Sequence, residues 1–140
     1  MSRFVLDNTV TMAWCFTEEA TEFTQTLLSR LSNLTDRAVV PALLWLYEVA
    51  NVVELAVRRG CIPKETAEAF LHSLADLPIE VENPSRSQVF LAVRALAGQY
   101  QLTAYDAAYV ALAEELEAPL ITRNQKIAAA PGHTATIEVF

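Results

Sequence analysis

The sequence predicts an α/β protein in which a small, mainly parallel sheet of four to five strands is covered by helices on both faces. Short apolar runs alternate along the chain with longer segments of helical periodicity. Strands that are separated by helices form parallel sheets, and such sheets are buried on both faces. The chain has 140 residues, of which 53% are hydrophobic. We therefore expect a single domain over residues 1–140 with a sizeable core.

The first half of the chain contains two predicted strands and two predicted helices. Residues 4–6 form a short apolar strand that ends at Asp7, and residues 38–40 form a second strand. Between them we expect a helix that opens at Thr17, where a capping hydroxyl precedes two acidic residues. Its apolar stripe is Phe23, Leu27, Leu28 and Leu31. A long helix over residues 43–59 follows, and its apolar residues cover most of its circumference, which predicts heavy burial.

The second half repeats this alternation. Strands are predicted at residues 78–81 and 119–122, with an edge strand at 136–139. Helices are predicted to begin at Pro63, to run from Asn83 to Gly98 and from Thr103 to Leu116, and to cover residues 125–129. The first of these helices is expected to turn Ala67, Phe70, Leu71 and Leu74 inward. The second carries Val89, Phe90, Val93, Leu96 and Ala97 on one face.

Composition excludes several functional classes. The net charge of −7 argues against a protein that holds nucleic acid by bulk electrostatics, because phosphate contacts need Lys and Arg. It is compatible with an enzyme that meets phosphates through bound cations. The chain has only three glycines, so a Gly-rich phosphate loop is absent. No stretch resembles a membrane span or a signal peptide, and we expect a cytoplasmic protein without a membrane partner.

The first candidate functional residue is Asp7. In an open parallel sheet, ligands bind outside the carboxyl ends of the strands, and Asp7 directly follows the first predicted strand. The alternative interpretation is that Asp7 only caps the next helical turn.

Two further carboxylates lie in apolar surroundings. Glu48 is in the middle of the long apolar helix, with Asn51 one turn later on the same face. A carboxylate in such surroundings needs a partner, and the alternatives are one arginine or a narrow solvent-facing stripe. Asp106 is the only charged residue between positions 102 and 113. Together with Thr103 it also resembles a capping box, which would explain it structurally.

Three carboxylates from distant segments are suitable ligands for a hard cation. Mg²⁺ and Mn²⁺ prefer oxygen ligands and keep several waters. Two such ions about 4 Å apart can activate a water and stabilise the leaving oxygen of a phosphodiester.

Three segments of the chain resemble the motifs of the PIN-domain VapC toxins, in the order of that family. They are FVLDNTV at residues 4–10, PALLWLYEVAN at residues 41–51 and LTAYDAAY at residues 102–109. The resemblance covers essentially the whole chain.

The resemblance implies a three-layer α/β/α sandwich and the toxin role in a type II toxin–antitoxin system. It implies endonucleolytic cleavage of RNA that depends on Mg²⁺ or Mn²⁺, a homodimer, and a cognate antitoxin whose tail blocks the acidic groove. On matching positions, Asp7, Glu48 and Asp106 become the catalytic, metal-binding trio. Thr9 becomes a supporting polar residue, and Asn51 lies near the groove.

One position departs from the family pattern. After the fourth strand the family commonly has Thr, any residue, then Asp, whereas this chain has Thr122, Arg123 and Asn124. Thr122 is retained as a supporting residue. Asn124 can accept a hydrogen bond but supplies no negative charge, so a second metal is expected to bind less well; alternatively, Asn124 caps the helix that follows. Arg123 is a weak candidate for contact with a substrate phosphate, and the alternative is a solvent-exposed arginine.

Two other functions compete with metal-dependent RNA hydrolysis. The first is an interaction module that has kept the fold with weakened or no catalysis, which the acidic composition and Asn124 allow. The second is an aspartyl-phosphate phosphatase, which also has an acid after the first strand. That class usually places a second Asp two residues later, where this chain has Thr9.

Overall fold

Five short strands form one fully parallel sheet in the computed structural model, which describes residues 2–130 and 137–139. The strand order is β3-β2-β1-β4-β5. The strands are β1 (Ser2–Leu6), β2 (Asp36–Pro41), β3 (Ile79–Glu82), β4 (Leu120–Thr122) and β5 (Ile137–Val139). The expected parallel sheet of four to five strands is therefore confirmed. Thr136, which we placed in the last strand, lies outside the described residues.

The centre of the sheet is buried on both faces. In β1, Val5 pairs with Val39 of β2 on one side and with Leu120 of β4 on the other. Val5 and Leu6 point to opposite faces because side chains alternate along a strand, and both are fully buried. Both faces are thus covered, which gives the three layers of an α/β/α sandwich.

Helices connect the strands in the manner of parallel α/β proteins. They are α1 (Asn8–Cys15), α2 (Glu22–Ser32), α3 (Ala42–Arg58), α4 (Lys64–Ala75), α5 (Arg94–Tyr100), α6 (Ala104–Leu116) and α7 (Gln125–Ala129). A π-helical segment, Gln88–Val93, continues directly into α5. No helix in the described part of the chain is long and apolar enough to cross a membrane.

The start of the second helix was predicted wrongly, and α1 was missed. Thr17 begins a single 3₁₀ turn rather than a helix. The true cap is Thr21, whose side chain accepts from the Thr24 amide while the Thr24 hydroxyl accepts from the Thr21 amide. Two hydroxyl residues can form this reciprocal pair in place of the usual Ser/Thr and Glu/Gln, so the acidic residues at 18 and 19 were a misleading signal.

The prediction that the long helix is heavily buried was also wrong. Trp45, Val49 and Val53 of α3 are buried, but Leu43 and Tyr47 are 64% and 72% exposed. Helix α3 therefore packs on one face only, although its sequence is apolar on most sides. In α4, Ala67 and Leu74 are buried as expected, whereas Leu71 is exposed.

The helix predicted from Asn83 to Gly98 has different bounds. Helical backbone begins after residue 85 and continues past Gly98 to Tyr100, where Gln101 adopts a left-handed conformation (φ 55°). Within the π-helical segment Val93 is buried, but Phe90 is 64% exposed. The wider π turn changes the side-chain periodicity on which the predicted apolar face was based.

Candidate active site

Asp7 lies at the carboxyl end of the central strand, as the sequence predicted. Its backbone amide donates to the carbonyl oxygen of Ile121 in β4 (3.3 Å), which extends the pairing of the two strands. The residue occupies the N-cap position of α1, but its side chain makes no capping hydrogen bond. The carboxylate is nevertheless buried, with 5% of the residue exposed. Helix capping therefore does not explain this buried carboxylate.

Two threonines hold one oxygen of the Asp7 carboxylate. The Thr9 hydroxyl donates to Oδ2 (2.9 Å), and the Thr122 hydroxyl donates to the same oxygen. Each hydroxyl in turn accepts from a backbone amide: Thr9 from Arg123 (3.0 Å) and Thr122 from Asn124 (2.9 Å). Because the amides can only donate, each hydroxyl must direct its proton to Asp7. Both threonines thus support Asp7.

The pKa of Asp7 is raised above its ordinary value of 3.8. Burial is the largest cause, because it disfavours the charged form, and the negative charge of Asp106 acts in the same direction. The hydrogen bonds from Thr122 and Thr9 lower the pKa but do not cancel these effects. The site therefore holds a carboxylate whose charge is incompletely compensated by the protein.

Glu48 is half-buried on α3 and is held by Tyr109 of α6. The Tyr109 hydroxyl donates to Oε1 of Glu48 at 2.5 Å. Glu48 forms no ion pair with any arginine in the described residues, so the simplest structural explanation for its charge is absent there. Burial raises the pKa of Glu48, the bond from Tyr109 lowers it, and the charges of Asp7 and Asp106 raise it further.

Asp106 lies in the first turn of α6 and is partly exposed. Its backbone amide donates to the Thr103 hydroxyl (3.1 Å), so Thr103 caps the helix as predicted. The reciprocal bond, from the Thr103 amide to the Asp106 carboxylate, is not formed in this described segment. The capping box is half complete, and the Asp106 carboxylate is not consumed by it.

The structure thus gathers three carboxylates from three elements close enough to interact electrostatically. Carboxylate oxygens are the ligands that a hard divalent cation prefers. Such a cation would also offset the repulsion between the three negative charges and make the local electrostatic potential positive. The chemistry of the donors therefore fits Mg²⁺ or Mn²⁺. In the described part of the chain, however, no three His, Cys, Asp or Glu side chains are arranged so that they could hold one metal ion. Direct binding of one cation by all three carboxylates at once would require them to move closer together, whereas binding through one or two carboxylates and several waters would not.

An open groove of about 1640 Å³ adjoins the site. Helix α3, the π-helical segment, α5 and α6 contribute its walls. Glu48 and Asn51 lie in its lining, whereas Asp7 and Asp106 do not. Glu48 is therefore the member of the trio that links the buried carboxylate to the open surface. Asn51 lines the same groove.

The two residues that follow Thr122 have structural partners. The Arg123 guanidinium pairs with Glu19 (3.6 Å). Asn124 caps α7, its side-chain oxygen accepting from the Lys126 amide (3.0 Å). The capping interpretation of Asn124 is confirmed, and its carbonyl oxygen is already engaged.

Sequence reasoning missed three residues that connect the site. Tyr109 was quoted in a motif but given no role, although a tyrosine in a helix of small apolar residues needs a partner for its hydroxyl. The Trp45 indole donates to the Thr11 hydroxyl (3.1 Å), which donates to the Asp7 carbonyl (3.4 Å). Trp45 lies one turn before Glu48, so this chain of bonds ties the helix of Glu48 to Asp7. In the sequence, Trp45 was part of an apolar pattern that is typical of core packing, and this pattern did not indicate the chain of hydrogen bonds.

Comparisons with known proteins agree with this architecture. The family model of the PIN domain matches residues 4–132. Ribonuclease VapC3 of Pyrobaculum aerophilum is 30% identical over 126 residues, which are 90% of this chain and 92% of that protein.

Solved structures show the same fold at lower identity. A structure of VapBC2 from Rickettsia felis, bound to a DNA fragment from its promoter, superposes with a TM-score of 0.69 and 16% identity over 98% of each chain. A toxin–antitoxin complex from Klebsiella pneumoniae gives a TM-score of 0.62 and 17% identity, over 97% of this chain and 96% of that one. The match of the family model and the identity to a curated ribonuclease, both over most of the chain, establish that this protein belongs to the PIN-domain family, among the VapC ribonucleases.

Proposed function

We propose that this chain is the toxin of a type II toxin–antitoxin pair and an endoribonuclease that cleaves RNA phosphodiester bonds with Mg²⁺ or Mn²⁺. The observation that carries the proposal is the meeting of Asp7, Glu48 and Asp106, whose charges raise the pKa values of Asp7 and Glu48. Asp7 and Glu48 keep raised pKa values beside a third carboxylate, and perturbed carboxylates of this kind are typical of functional sites. Membership of the VapC ribonucleases supports RNA as the substrate.

Asp7, Glu48 and Asp106 would hold the cation. When bound, such an ion lowers the pKa of water and stabilises the charge that develops on a phosphate. Thr9 and Thr122 orient Asp7, since both donate to its Oδ2. We propose that the groove beside Glu48 receives the RNA strand, with Asn51 in its lining as a contact. Arg123, whose guanidinium pairs with Glu19, is a further candidate for contact with a substrate phosphate.

A cognate antitoxin is the proposed protein partner. The solved relatives from Rickettsia felis and Klebsiella pneumoniae are toxin–antitoxin assemblies. Several large apolar side chains are exposed, and exposed apolar surface of this kind suits protein contacts: Leu43, Leu46, Tyr47, Val89, Phe90, Leu91 and Tyr105. We propose that they serve the antitoxin and a homodimer interface. A toxin that cleaves cellular RNA acts in the cytoplasm, where we expect this chain to work.

RNA cleavage by the purified chain tests the catalytic proposal. We expect mixed tRNA, rRNA and mRNA to be cut in Mg²⁺ or Mn²⁺, to stay whole in a chelator, and to stay whole with Asp7→Asn. Asparagine keeps the size of the side chain and its ability to accept from both threonines, so it isolates the charge. Intact RNA after incubation of the metal-loaded wild-type chain would contradict the proposal.

A second candidate function is favoured by Asn124. The side-chain oxygen of Asn124 accepts the hydrogen bond that caps α7. The residue is also uncharged at a position where the family commonly has Asp. A chain with one corner of the site neutral could work with one principal metal, or could be a weakened interaction module. The two options differ in whether the folded protein binds a divalent cation at all.

A further inference from the structure

Tyr109 is the most deeply buried polar aromatic side chain next to the site. Only 1% of the residue is exposed, and its hydroxyl lies 2.5 Å from Oε1 of Glu48. An ionised carboxylate can only accept a hydrogen bond, so the Tyr109 hydroxyl donates its proton to Glu48.

The position of Tyr109 links two of the elements that carry the carboxylates. It lies on α6 one turn after Asp106, and it bonds Glu48 of α3. Glutamate has three rotatable bonds, and an unrestrained Glu48 beside the open groove could adopt many orientations. With Oε1 bound to Tyr109, Oε2 is the uncommitted oxygen of Glu48 among the described contacts.

We propose that Tyr109 is a positioning residue, whose hydroxyl holds Oε1 of Glu48 so that Oε2 is presented to the divalent cation at a fixed place relative to Asp7 and Asp106. This inference rests on the proposed function and adds a residue to its machinery. Removal of a residue that hydrogen-bonds a metal ligand and orients it commonly lowers metal affinity or activity about 10- to 100-fold. A purely structural tyrosine would instead change only the stability of the fold.

The test is the affinity of Tyr109→Phe for Mn²⁺, measured by the electron paramagnetic resonance signal of the free ion. Phenylalanine keeps the buried ring and removes only the hydroxyl. We expect the dissociation constant for Mn²⁺ to rise about 10- to 100-fold. In RNA cleavage at a fixed Mn²⁺ concentration below saturation, kcat should fall while KM for RNA changes little. A thermal melt without metal checks that the variant is folded.

Two further variants separate positioning from general damage. In a Glu48→Ala background, Tyr109→Phe should cause no additional loss of Mn²⁺ affinity, since the side chain through which it acts is already gone. Ser73→Ala is the control for Mn²⁺ affinity: it removes an exposed hydroxyl from α4, a helix that carries none of the three carboxylates. We expect it to bind Mn²⁺ as the wild type does.

The outcomes distinguish this inference from the function on which it rests. If the wild type binds Mn²⁺ and Tyr109→Phe binds it equally well, Tyr109 has no positioning role, and the proposed nuclease is unaffected. An equal loss from Tyr109→Phe in the presence and absence of Glu48 would likewise overturn the inference, because the effect would not pass through Glu48. If the wild type itself binds no Mn²⁺, the metal-dependent function fails, and the role of Tyr109 fails with it.

Discussion

Asp7 is costly for the folded protein to keep charged. Burial raises its pKa, and the hydrogen bonds from Thr122 and Thr9 offset this only in part. The folded state therefore binds a proton at Asp7 more tightly than the unfolded chain does. The stabilising contribution of this group is fully present below pH 3.8, its ordinary pKa, and is lost as the pH rises through the raised pKa of the folded state. At neutral pH the buried charge destabilises the fold.

Asp7→Asn is accordingly expected to stabilise the metal-free protein at neutral pH while it removes activity. Asparagine cannot ionise, yet its carbonyl oxygen can accept from both threonines. In a chelator at pH 7.5 the variant should melt at a higher temperature than the wild type, by about 4 °C for each 1 kcal/mol gained in a domain of this size. The difference should shrink as the pH is lowered towards 4, where the wild-type carboxyl becomes protonated.

Thermal melts of both proteins from pH 4 to pH 8 measure this effect. A lower melting temperature for Asp7→Asn at pH 7.5 would show that the charge stabilises the fold. A difference that does not depend on pH would show that burial of the carboxylate is not its origin.

Among single residues, the sequence was informative where the role of a residue depends on its immediate neighbours in the chain. Asp7 after an apolar strand and Thr103 before an apolar helix were placed correctly, because strand ends and helix caps are local features. Glu48 was correctly judged to need a partner, but the partner could not be named. It is Tyr109, 61 residues away in the chain, and only the packing of α6 against the rest of the fold brings the two together.

Among the secondary-structure elements, α7 shows how a cap and a candidate ligand compete for one side chain. The oxygen of Asn124 accepts from the Lys126 amide at the start of α7. Aspartate caps helices about as well as asparagine does, and it has a second oxygen. An aspartate here could therefore cap α7 and still contribute negative charge to the site.

Asn124→Asp is therefore expected to leave metal-free stability nearly unchanged and to raise both Mn²⁺ affinity and the rate of RNA cleavage. Asn124→Ala is the control for the cap, and it should cost about 1 kcal/mol of stability. Equilibrium unfolding in urea and cleavage rates at matched Mn²⁺ concentrations measure the two effects. Equal cleavage rates for the wild type and Asn124→Asp would exclude the missing charge as a limit on catalysis.

Helix α3 shows why burial could not be predicted from hydrophobicity alone. Its residues are apolar on most sides, but Trp45, Val49 and Val53 face the core while Leu43 and Tyr47 are exposed. Apolar residues on all sides of a helix are compatible with two arrangements: a helix that is buried within its domain, and a helix that exposes one apolar face to a partner protein. Which of the two applies depends on what the neighbouring elements leave uncovered, and the described residues leave a groove along this face.

For the whole molecule, the central question is whether the folded chain binds a divalent cation. A ligand that binds only the native state stabilises it by RT ln(1 + [L]/Kd), which is about 2.7 kcal/mol at a concentration 100 times the Kd. The metal-dependent nuclease is therefore expected to melt several degrees higher in Mn²⁺ than in a chelator. An interaction module that has lost the metal site should melt at the same temperature in both.

Asp7→Asn is the control for this melt, and its melting temperature should respond less to Mn²⁺ than that of the wild type. A shift of equal size in both proteins would place the binding of Mn²⁺ elsewhere on the surface. No shift in the wild type would favour the weakened interaction module.

Local patterns along the chain were enough to identify the alternation of strands and helices, the carboxylate after the first strand and the family motifs. These features depend on residues that are close together in the sequence. They can therefore be recognised without knowledge of the tertiary structure. The bond from Tyr109 to Glu48, the two threonines on Asp7 and the exposed face of α3 depend instead on contacts between distant segments. They were decided only when the five parallel strands set the spacing of the helices, because a side chain's partner and exposure are properties of packing rather than of its position in the sequence.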